Sequence, residues 1–384
     1  MAKRETYSEG RARVSYDPDT FINPIARPTR DIGIAIAMLE GPKREEFRAL
    51  DATGGTGIRG IRYGLEAGIK DVTILEINEK AYRTAKRNAA ANCPDAKVVN
   101  TSIQEFANCS RERFDLIDLD PFGGIVPYVY DIMKMTRDDS LLFVTSTDSA
   151  VLCGAHYKAC IKLYGAVPLH NELCHEVGLR VLTGYVIRIA ASFNFGVEVL
   201  AGFFYKHYMR MHMKLHYGSA EASRSVDSLG FAGYCNECGY RSLYKGIAPR
   251  ANKCPECGAE LTLAGPLYIG KLKDDSLLNT VEGLIEKEGM AKESVGLVRK
   301  LIGELDVPLY YSVPKITKSL NRGSLSPARL IEALRDAGFS ASGSHMGPEY
   351  IKTDAGIKQI VELATALLDK RSTAPDESGE TRRK

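Results

Sequence analysis

A glycine-rich turn near the start of the chain contains the first candidate binding groups. Gly55, Gly57 and Gly60 have the GxGxxG spacing, and Asp51 precedes them at the end of a short apolar run. Glycines at this spacing let the backbone approach a nucleotide cofactor, because no side chain stands in the way. The turn fits a dinucleotide and also fits S-adenosylmethionine (SAM). The glycines alone therefore do not distinguish these cofactors, nor do they exclude an ordinary tight strand–helix turn.

The ends of the next predicted strands supply further candidate groups for a SAM site. A carboxylate at Asp51 can accept the ammonium group of the cofactor. Glu76 ends the next predicted strand, about 20 residues after the glycines, where an acidic side chain accepts ribose hydroxyls. The following strand ends just before Ser102, which places this residue and Ile103 beside the adenine ring. The cofactor-binding residues predicted from this stretch are Asp51, Gly55, Glu76, Ser102 and Ile103.

An Asp-Pro-aromatic tip favours SAM over a dinucleotide. Asp120, Pro121 and Phe122 follow an apolar strand. The exocyclic amine of a nucleobase is a poor nucleophile because its lone pair is delocalised into the ring. A carboxylate and a backbone carbonyl can accept both amine hydrogens and so localise that lone pair, while an aromatic ring stacks on the base. Asp120, the Pro121 carbonyl and Phe122 are therefore the predicted catalytic groups, and a plain strand-ending turn is the alternative.

Four cysteines have the spacing of a zinc site. Cys235 and Cys238 form one CxxC pair, and Cys254 and Cys257 form a second pair after fifteen intervening residues. Each pair runs into a glycine, which permits a tight metal knuckle. This spacing predicts a closed structural zinc site without a catalytic role, with disulfides or free thiols as the alternative. Basic and aromatic residues between the pairs, among them Arg241, are interpreted as RNA contacts or else as a solvated loop.

Several other chemically capable residues are interpreted as structural. The CHE sequence at 174–176 begins like a zinc-protease helix, but the second histidine of that motif is absent. A plain helix with a Glu176–Arg180 pair is therefore expected. Asp118 precedes the catalytic tip and is expected to be structural or solvated. His212 and its two neighbouring histidines are expected on the surface or on a helix, and the five remaining cysteines are expected to be buried apolar groups.

The candidate groups need a sheet whose strand ends meet. Short apolar runs alternate with helical patterns in the first half of the chain, which predicts βαβ units and a parallel, doubly wound sheet. Ligands bind at the carboxyl ends of the strands of such a sheet, where the candidate groups lie. Further β-prone runs at 184–190 and 196–205 are expected to complete it. The predicted strands are 48–51, 72–77, 97–100, 114–120 and 141–145, with helices at 58–67 and 79–92.

The last third of the chain has the pattern of a small helical region. Helical patterns at 280–288 and 292–304 precede a helix-turn-helix pattern made by 313–320 and 327–337. Pro327 suits the first position of the last of these helices. The predicted organisation is a methyltransferase domain at 1–222, a zinc-ribbon-like insertion at 223–268, a winged-helix-like nucleic-acid-binding region at 269–372 and a disordered tail at 373–384.

Composition argues against membrane and secreted proteins. The chain has 384 residues, 44% of them hydrophobic and 26% charged, with a net charge of +3. The longest apolar run, near 32–39, is far shorter than the ~18 residues that identify a membrane helix. Residues 1–13 are polar and have no signal-peptide core. A cytoplasmic protein without membrane association is therefore expected, and the nearly balanced charge indicates no particular partner.

Taken together, the motifs resemble those of the tRNA guanine-26 N2-methyltransferases, especially the archaeal form. The resemblance rests on FINP at 21–24, Arg30 and Asp31, DATGGTGIRGIR at 51–62, DLDPFG at 118–123, Thr147 and Asp148, HEVGLR at 175–180, and IKTD at 351–354. It implies an α/β, class I SAM-dependent (Rossmann-like) domain with a C-terminal domain, and methyl transfer to guanine N2 of tRNA. It also adds Phe21, Arg30 and Arg59 to the cofactor-binding residues.

The residues by themselves leave two other functions open. The same Asp-Pro-aromatic tip could methylate adenine N6 or cytosine N4 in DNA or rRNA, and a helix-turn-helix pattern is compatible with either nucleic acid. A nucleic-acid-binding protein with a SAM-sensing domain is the third possibility, although a pure sensor does not need an amine clamp. The sequence does not decide between mono- and dimethylation, and it leaves the oligomeric state open.

Overall fold

The computed structural model of the chain describes residues 4–17, 20–43, 46–248 and 252–372. These residues form a mixed α/β structure with three separate apolar clusters. The strands are β1 (Glu5–Glu9), β2 (Ala12–Tyr16), β3 (Arg48–Asp51), β4 (Asp71–Leu75), β5 (Lys97–Val99), β6 (Phe114–Leu119), β7 (Thr136–Ser146), β8 (Phe195–Tyr205), β9 (Tyr208–Tyr217), β10 (Leu229–Cys235), β11 (Arg241–Lys245), β12 (Leu261–Tyr268), β13 (Tyr311–Ser312), β14 (Ala341–Ser344) and β15 (Gly347–Thr353). The α-helices are α1 (Arg27–Glu40), α2 (Ile58–Leu65), α3 (Glu79–Asn92), α4 (Ile103–Cys109), α5 (Val129–Lys134), α6 (Ser149–Leu152), α7 (Tyr157–Tyr164), α8 (Cys174–Ser192), α9 (Ser219–Val226), α10 (Asp275–Lys287), α11 (Lys292–Gly303), α12 (Val313–Ser319), α13 (Pro327–Asp336) and α14 (Ile357–Ser372).

The central sheet has seven strands in the order β5-β4-β3-β6-β7-β9-β8. Strands β3 to β7 pair in parallel, whereas β9 pairs antiparallel with both β7 and β8. Every residue of β6 is buried, as is typical of a strand covered on both faces. All five predicted strands and both predicted helices of this region form. The carboxyl ends of β3, β4 and β6 therefore meet at one edge of the sheet.

The prediction of a strand at 184–190 is wrong. These residues lie within α8, which packs against β8 and β12. Because α8 is buried on most sides, its apolar residues lack the one-sided helical period that would distinguish them from a strand. The packing is close at Gly184, where a Cβ atom would lie 3.1 Å from the Cα of Leu267.

Strand β9 is the element of the sheet that the sequence pattern did not predict. The prediction at 196–205 is confirmed as β8, but its neighbour β9 contains charged residues that interrupt the apolar alternation. Arg210 is fully buried in β9 because Asp118 accepts two hydrogen bonds from its guanidinium, at 2.8 and 2.7 Å. His212 is also fully buried on this strand, so its expected place on the surface or on a helix is wrong.

The C-terminal part contains two further sheets. Strands β11, β10 and β12 form the ribbon that contains the four spaced cysteines. Strands β13, β15 and β14 pack with α12, α13 and α14, and the predicted helix-turn-helix corresponds to α12 and α13. The two helices predicted at 280–288 and 292–304 also form, as α10 and α11, and they pack against α1.

The predicted domain boundaries stay predictions, and the tail at 373–384 lies outside the described residues. No helix in the described part of the chain is long and apolar enough to cross a bilayer.

Candidate active site

A cavity of about 520 Å³ lies at the carboxyl edge of β3, β4 and β6. This volume is within the range of pockets that bind small molecules. Every residue predicted to bind cofactor or base lines the cavity, with the exception of Asp51. The predicted residues that line it are Phe21, Arg30, Gly55, Arg59, Glu76, Ser102, Ile103, Asp120, Pro121 and Phe122.

The glycine-rich turn brings its backbone to the cavity wall. Gly55 and Gly57 have positive φ angles of +54° and +80°, which side-chain-bearing residues rarely adopt. Gly60 lies so close to β4 that a Cβ atom there would be 2.6 Å from Ile74. The sequence therefore needs glycine here for conformation and for packing.

Asp51 lies beneath this turn and shapes it. One oxygen of its fully buried carboxylate accepts the Gly60 amide hydrogen at 3.0 Å. Burial raises the pKa of this carboxyl to about 7, although Arg59 opposes the shift. The structure thus gives Asp51 a role in holding the turn, and its contact with the ammonium group of SAM stays a prediction.

Glu76 connects the turn to the next strand end. Its two carboxylate oxygens accept the amide hydrogens of Gly55 at 2.7 Å and of Asn78 at 2.8 Å. Further along the same edge, Ser102 caps α4 by accepting the Glu105 amide hydrogen at 3.0 Å. Both residues line the cavity and are held in place by backbone groups, as a binding surface for ribose and adenine requires.

The Asp120–Phe122 tip, predicted to be catalytic, is anchored by a buried ion network. Arg59 donates to Asp120 and, at 3.1 Å, to Asp118. Arg210 and the Tyr63 hydroxyl also donate to Asp118, and the two arginines hold the pKa of its carboxyl well below the usual range despite its burial. Asp118 is therefore structural, which is one of the two roles expected for it, and it positions the arginine that contacts Asp120.

A second ion network holds Arg30, which also lines the cavity. Arg30 donates to both oxygens of Glu9, at 2.7 and 2.5 Å, and to the Asn23 carbonyl at 3.1 Å. Arg62 contacts the same glutamate at 2.6 Å. These arginines hold the pKa of Glu9 at about 2, so a buried negative charge secures β1 beside the site. No sequence pattern indicates this role of Glu9, because its partners Arg30 and Arg62 lie 21 and 53 residues further along the chain.

Two exposed aromatic rings stand at the mouth of the cavity. Phe122 is 76% exposed and Phe21 is 57% exposed, and their ring centroids lie 4.8 Å apart with the planes at 74°. Exposed large apolar side chains at a cavity mouth indicate a binding surface rather than a folding core. Thr147, at the end of β7, accepts the Gly123 amide hydrogen at 2.9 Å and also lines the cavity. Thr147 therefore belongs to the candidate site.

Several further residues of the cavity lining were not predicted from the sequence, among them Tyr208, Ile77 and Asn23. Tyr208 is the first residue of β9, and its hydroxyl accepts a hydrogen bond from the Asn23 side-chain amide. Ile77 follows Glu76 and is 71% exposed, which suits a flat apolar contact with a ring. Asn23 belongs to the FINP motif, and no spacing in the sequence links it to Tyr208.

The four spaced cysteines converge as predicted. All four sulfur atoms lie within 4.8 Å of one another, and two of the pairs, Cys235–Cys257 and Cys238–Cys254, are 3.5 Å apart. Tetrahedral zinc with bonds of 2.3 Å places its sulfur ligands about 3.8 Å apart, so the donors present fit this ion.

The two cysteine knuckles have matching backbones. Gly239 and Gly258 have φ angles of +78° and +76°, and their amides donate to the carbonyls of Cys235 and Cys254. Two such knuckles facing each other are typical of a zinc ribbon. Bound zinc itself stays a prediction.

The interpretation of Arg241 as an RNA contact is wrong. Its side chain is 5% exposed, pairs with Glu172 at 3.3 Å and donates to the Tyr310 carbonyl. The guanidinium also stacks over the Tyr311 ring, 4.2 Å from the centroid. Arg241 therefore attaches the ribbon to the rest of the protein, and a buried arginine with these partners is not available to a phosphate.

Comparison with known proteins decides the family. The family model described as N2,N2-dimethylguanosine tRNA methyltransferase matches residues 2–365. The chain belongs to this family. The tRNA (guanine(26)-N(2))-dimethyltransferase of Methanothermobacter thermautotrophicus is 32% identical, covering 93% of this chain and 95% of the relative. That of Thermococcus kodakarensis is 35% identical, covering 91% and 93%.

A solved structure supports the same assignment. Trm1 from Pyrococcus horikoshii, in complex with S-adenosyl-L-methionine, has a TM-score of 0.84 and 31% sequence identity. The match covers 94% of this chain and 99% of that chain. The predictions of the family, of an enzyme and of a class I methyltransferase fold are therefore confirmed.

Proposed function

We propose that this chain transfers methyl groups from SAM to the exocyclic N2 of guanine 26 in tRNA, giving N2-methyl- and N2,N2-dimethylguanosine. The observation that carries the proposal is one cavity lined both by the glycine-rich turn with Glu76 and by the Asp120–Phe122 tip. Family membership and the names of the relatives identify the base, the atom and the position.

The residues of the turn fit SAM. The Gly55 backbone, Glu76, Ser102 and Ile103 would hold its nucleoside, and Arg30 and Phe21 line the same cavity. When bound, SAM supplies an electrophilic methyl group on a sulfonium, and this chemistry needs no metal. Ordered backbone amides and a fixed carboxylate suit such a ligand, because they need no rearrangement when it binds.

Asp120 and Pro121 align the guanine amine. The Asp120 carboxylate and the Pro121 carbonyl accept the two amine hydrogens, which localises the nitrogen lone pair. Arg59 binds Asp120 Oδ2, so we assign Oδ1 to the amine. The Asp120 amide donates to the Thr53 hydroxyl at 3.0 Å, which fixes the backbone of the tip as well. After methyl transfer, the same carboxylate takes the surplus proton from nitrogen.

Phe122 supplies the stacking surface for the base. A guanine in the tRNA core is stacked and must be extruded, at a cost of a few kcal/mol. Base–aromatic stacking of about 1–3 kcal/mol offsets part of that cost. The remaining stabilisation would come from tRNA contacts of the C-terminal region, with structural zinc in the ribbon, and we place this activity in the cytoplasm.

Nucleoside mass spectrometry tests the proposal. The purified chain is incubated with SAM and an unmodified tRNA transcript, and a transcript with adenosine at position 26 is the matched control. We expect N2-methyl- and N2,N2-dimethylguanosine only in the first transcript. Methylated adenine or cytosine, or equal methylation of both transcripts, would reject guanine 26 as the target.

A further inference from the structure

A second group of soft metal ligands lies outside the ribbon. Cys153 follows α6, and Cys174 and His175 begin α8. Their ligand atoms all lie within 4.8 Å of one another, and the two thiols are within hydrogen-bonding reach. Because Cys153 is distant in sequence from the other two residues, only the fold reveals the cluster.

One ring nitrogen of His175 has no hydrogen-bond partner among the described residues. Its ring stacks on Phe204, with centroids 3.9 Å apart and planes at 14°. Its Nδ1 atom is buried and has no hydrogen-bond partner among the described residues. The neighbouring Glu176 and Arg180 are instead paired with each other, at 2.9 and 2.8 Å. A buried nitrogen without a partner is costly, so a histidine with such a nitrogen that lies beside two thiols calls for a ligand.

We propose that Cys153, Cys174 and His175 bind zinc, with water as the fourth ligand. Two thiolates and an imidazole nitrogen are soft and borderline donors, which select zinc over magnesium or calcium. Zinc replaces the two thiol protons, which pass to solvent. A disulfide between the two cysteines would leave the His175 nitrogen as unpaired as before and would need an oxidant.

The site would connect the cavity to the C-terminal region. Helix α6 directly follows the Thr147 segment, which lines the cavity. The His170 ring nitrogen contacts the Cys153 carbonyl at 3.0 Å, which orients the end of α6. On the other side, Glu176 accepts the Leu309 amide hydrogen at 2.9 Å. An ion bound here therefore fixes the ends of α6 and α8 at the junction between these two parts of the protein.

Metal content and cadmium NMR test the proposal independently of methyltransferase activity. The full chain is purified anaerobically, and zinc is measured per chain before exchange for cadmium. The variants are Cys153→Ala and His175→Phe, since phenylalanine keeps the stack on Phe204 but removes the nitrogen. Cys160→Ala, which removes another buried thiol, is the matched control.

The proposed site predicts two zinc ions and two cadmium resonances in the wild-type chain. Both test variants lose one ion and one resonance, whereas Cys160→Ala keeps both. The ribbon resonance shows in every variant that cadmium has been loaded, and the circular dichroism spectrum shows whether the chain is folded. A single resonance in the wild-type chain, two in His175→Phe, or a Cys153–Cys174 disulfide in the anaerobic protein would overturn the proposal.

Discussion

The ribbon and the cavity differ in how far apart in the sequence their functional residues lie. The four ribbon cysteines lie on two knuckles within 23 residues, and each knuckle closes on its own backbone hydrogen bonds. The cavity instead collects Arg30, Arg59 and Asp120 from three separate elements, and buried ion pairs position them. A local site can be identified from spacing alone, whereas a non-local site depends on a network that only the fold assembles.

Disruption of the ribbon should have the largest effect, and the loss of structure should be confined to the ribbon. We expect Cys238→Ser, or removal of zinc by a chelator, to abolish protection from hydrogen exchange over β10, β11 and β12. Structural zinc contributes on the order of 10 kcal/mol to small zinc modules, so little of the ribbon should remain folded. Cys109→Ser, which removes an exposed thiol, is the control. Loss of protection throughout the central sheet would show that the two regions do not fold independently.

Removal of the Asp120 carboxylate should have the second-largest effect. Asp120→Asn keeps the shape of the tip but cannot take the amine proton, so single-turnover methylation should fall by about 100- to 1,000-fold. SAM affinity, measured by calorimetry, should stay near the wild-type value. Asp120→Glu restores a displaced carboxylate and should recover part of the rate. Wild-type turnover in Asp120→Asn would remove the catalytic role of this residue.

Substitution of Arg59 tests how strongly the stability of the protein depends on the ion network of Arg59, Asp118 and Asp120. Arg59→Met leaves Asp118 with fewer cationic partners inside the protein and should lower the free energy of unfolding by about 3 kcal/mol in urea titrations. Arg59→Lys keeps the charge but should not span Asp118 and Asp120 together, so it should restore stability more than activity. Arg83→Ala breaks an exposed pair with Glu79 and should cost less than about 1 kcal/mol. Equal stability of Arg59→Met and Arg83→Ala would contradict the proposed network.

How much of each region could be predicted from the sequence depends on the same distinction between local and non-local contacts. Strands β3 to β7 and the cysteine cluster were predictable because their patterns repeat over a few residues. Strand β9 was not, since Arg210 and His212 are buried there only through partners such as Asp118 and Phe143. Helix α8 resembled a strand because it is buried on most sides. Around the cavity, the spacing of sequence motifs identified the residues at strand ends. It did not identify Tyr208 or Glu9, the ion partner of Arg30, because their partners lie in other elements.

Asp51 provides the most specific test, because it concerns a single carboxyl group. Its pKa is about 7 in the folded protein, above its ordinary value of 3.8, so folding takes up a proton between these two values. The contribution of Asp51 to the free energy of unfolding should therefore be largest below pH 4. It should decrease as the pH rises to about 7 and stay constant above that. Asp51→Asn imitates the protonated form and should lack this decline. The wild type should lose stability relative to the variant by at most about 1.4 kcal/mol per pH unit in this window. Asp95→Asn, at an exposed position, should follow the wild type. A pH-independent difference would mean that Asp51 is ionised in the fold, which would favour a direct role in binding the SAM ammonium over support of the turn.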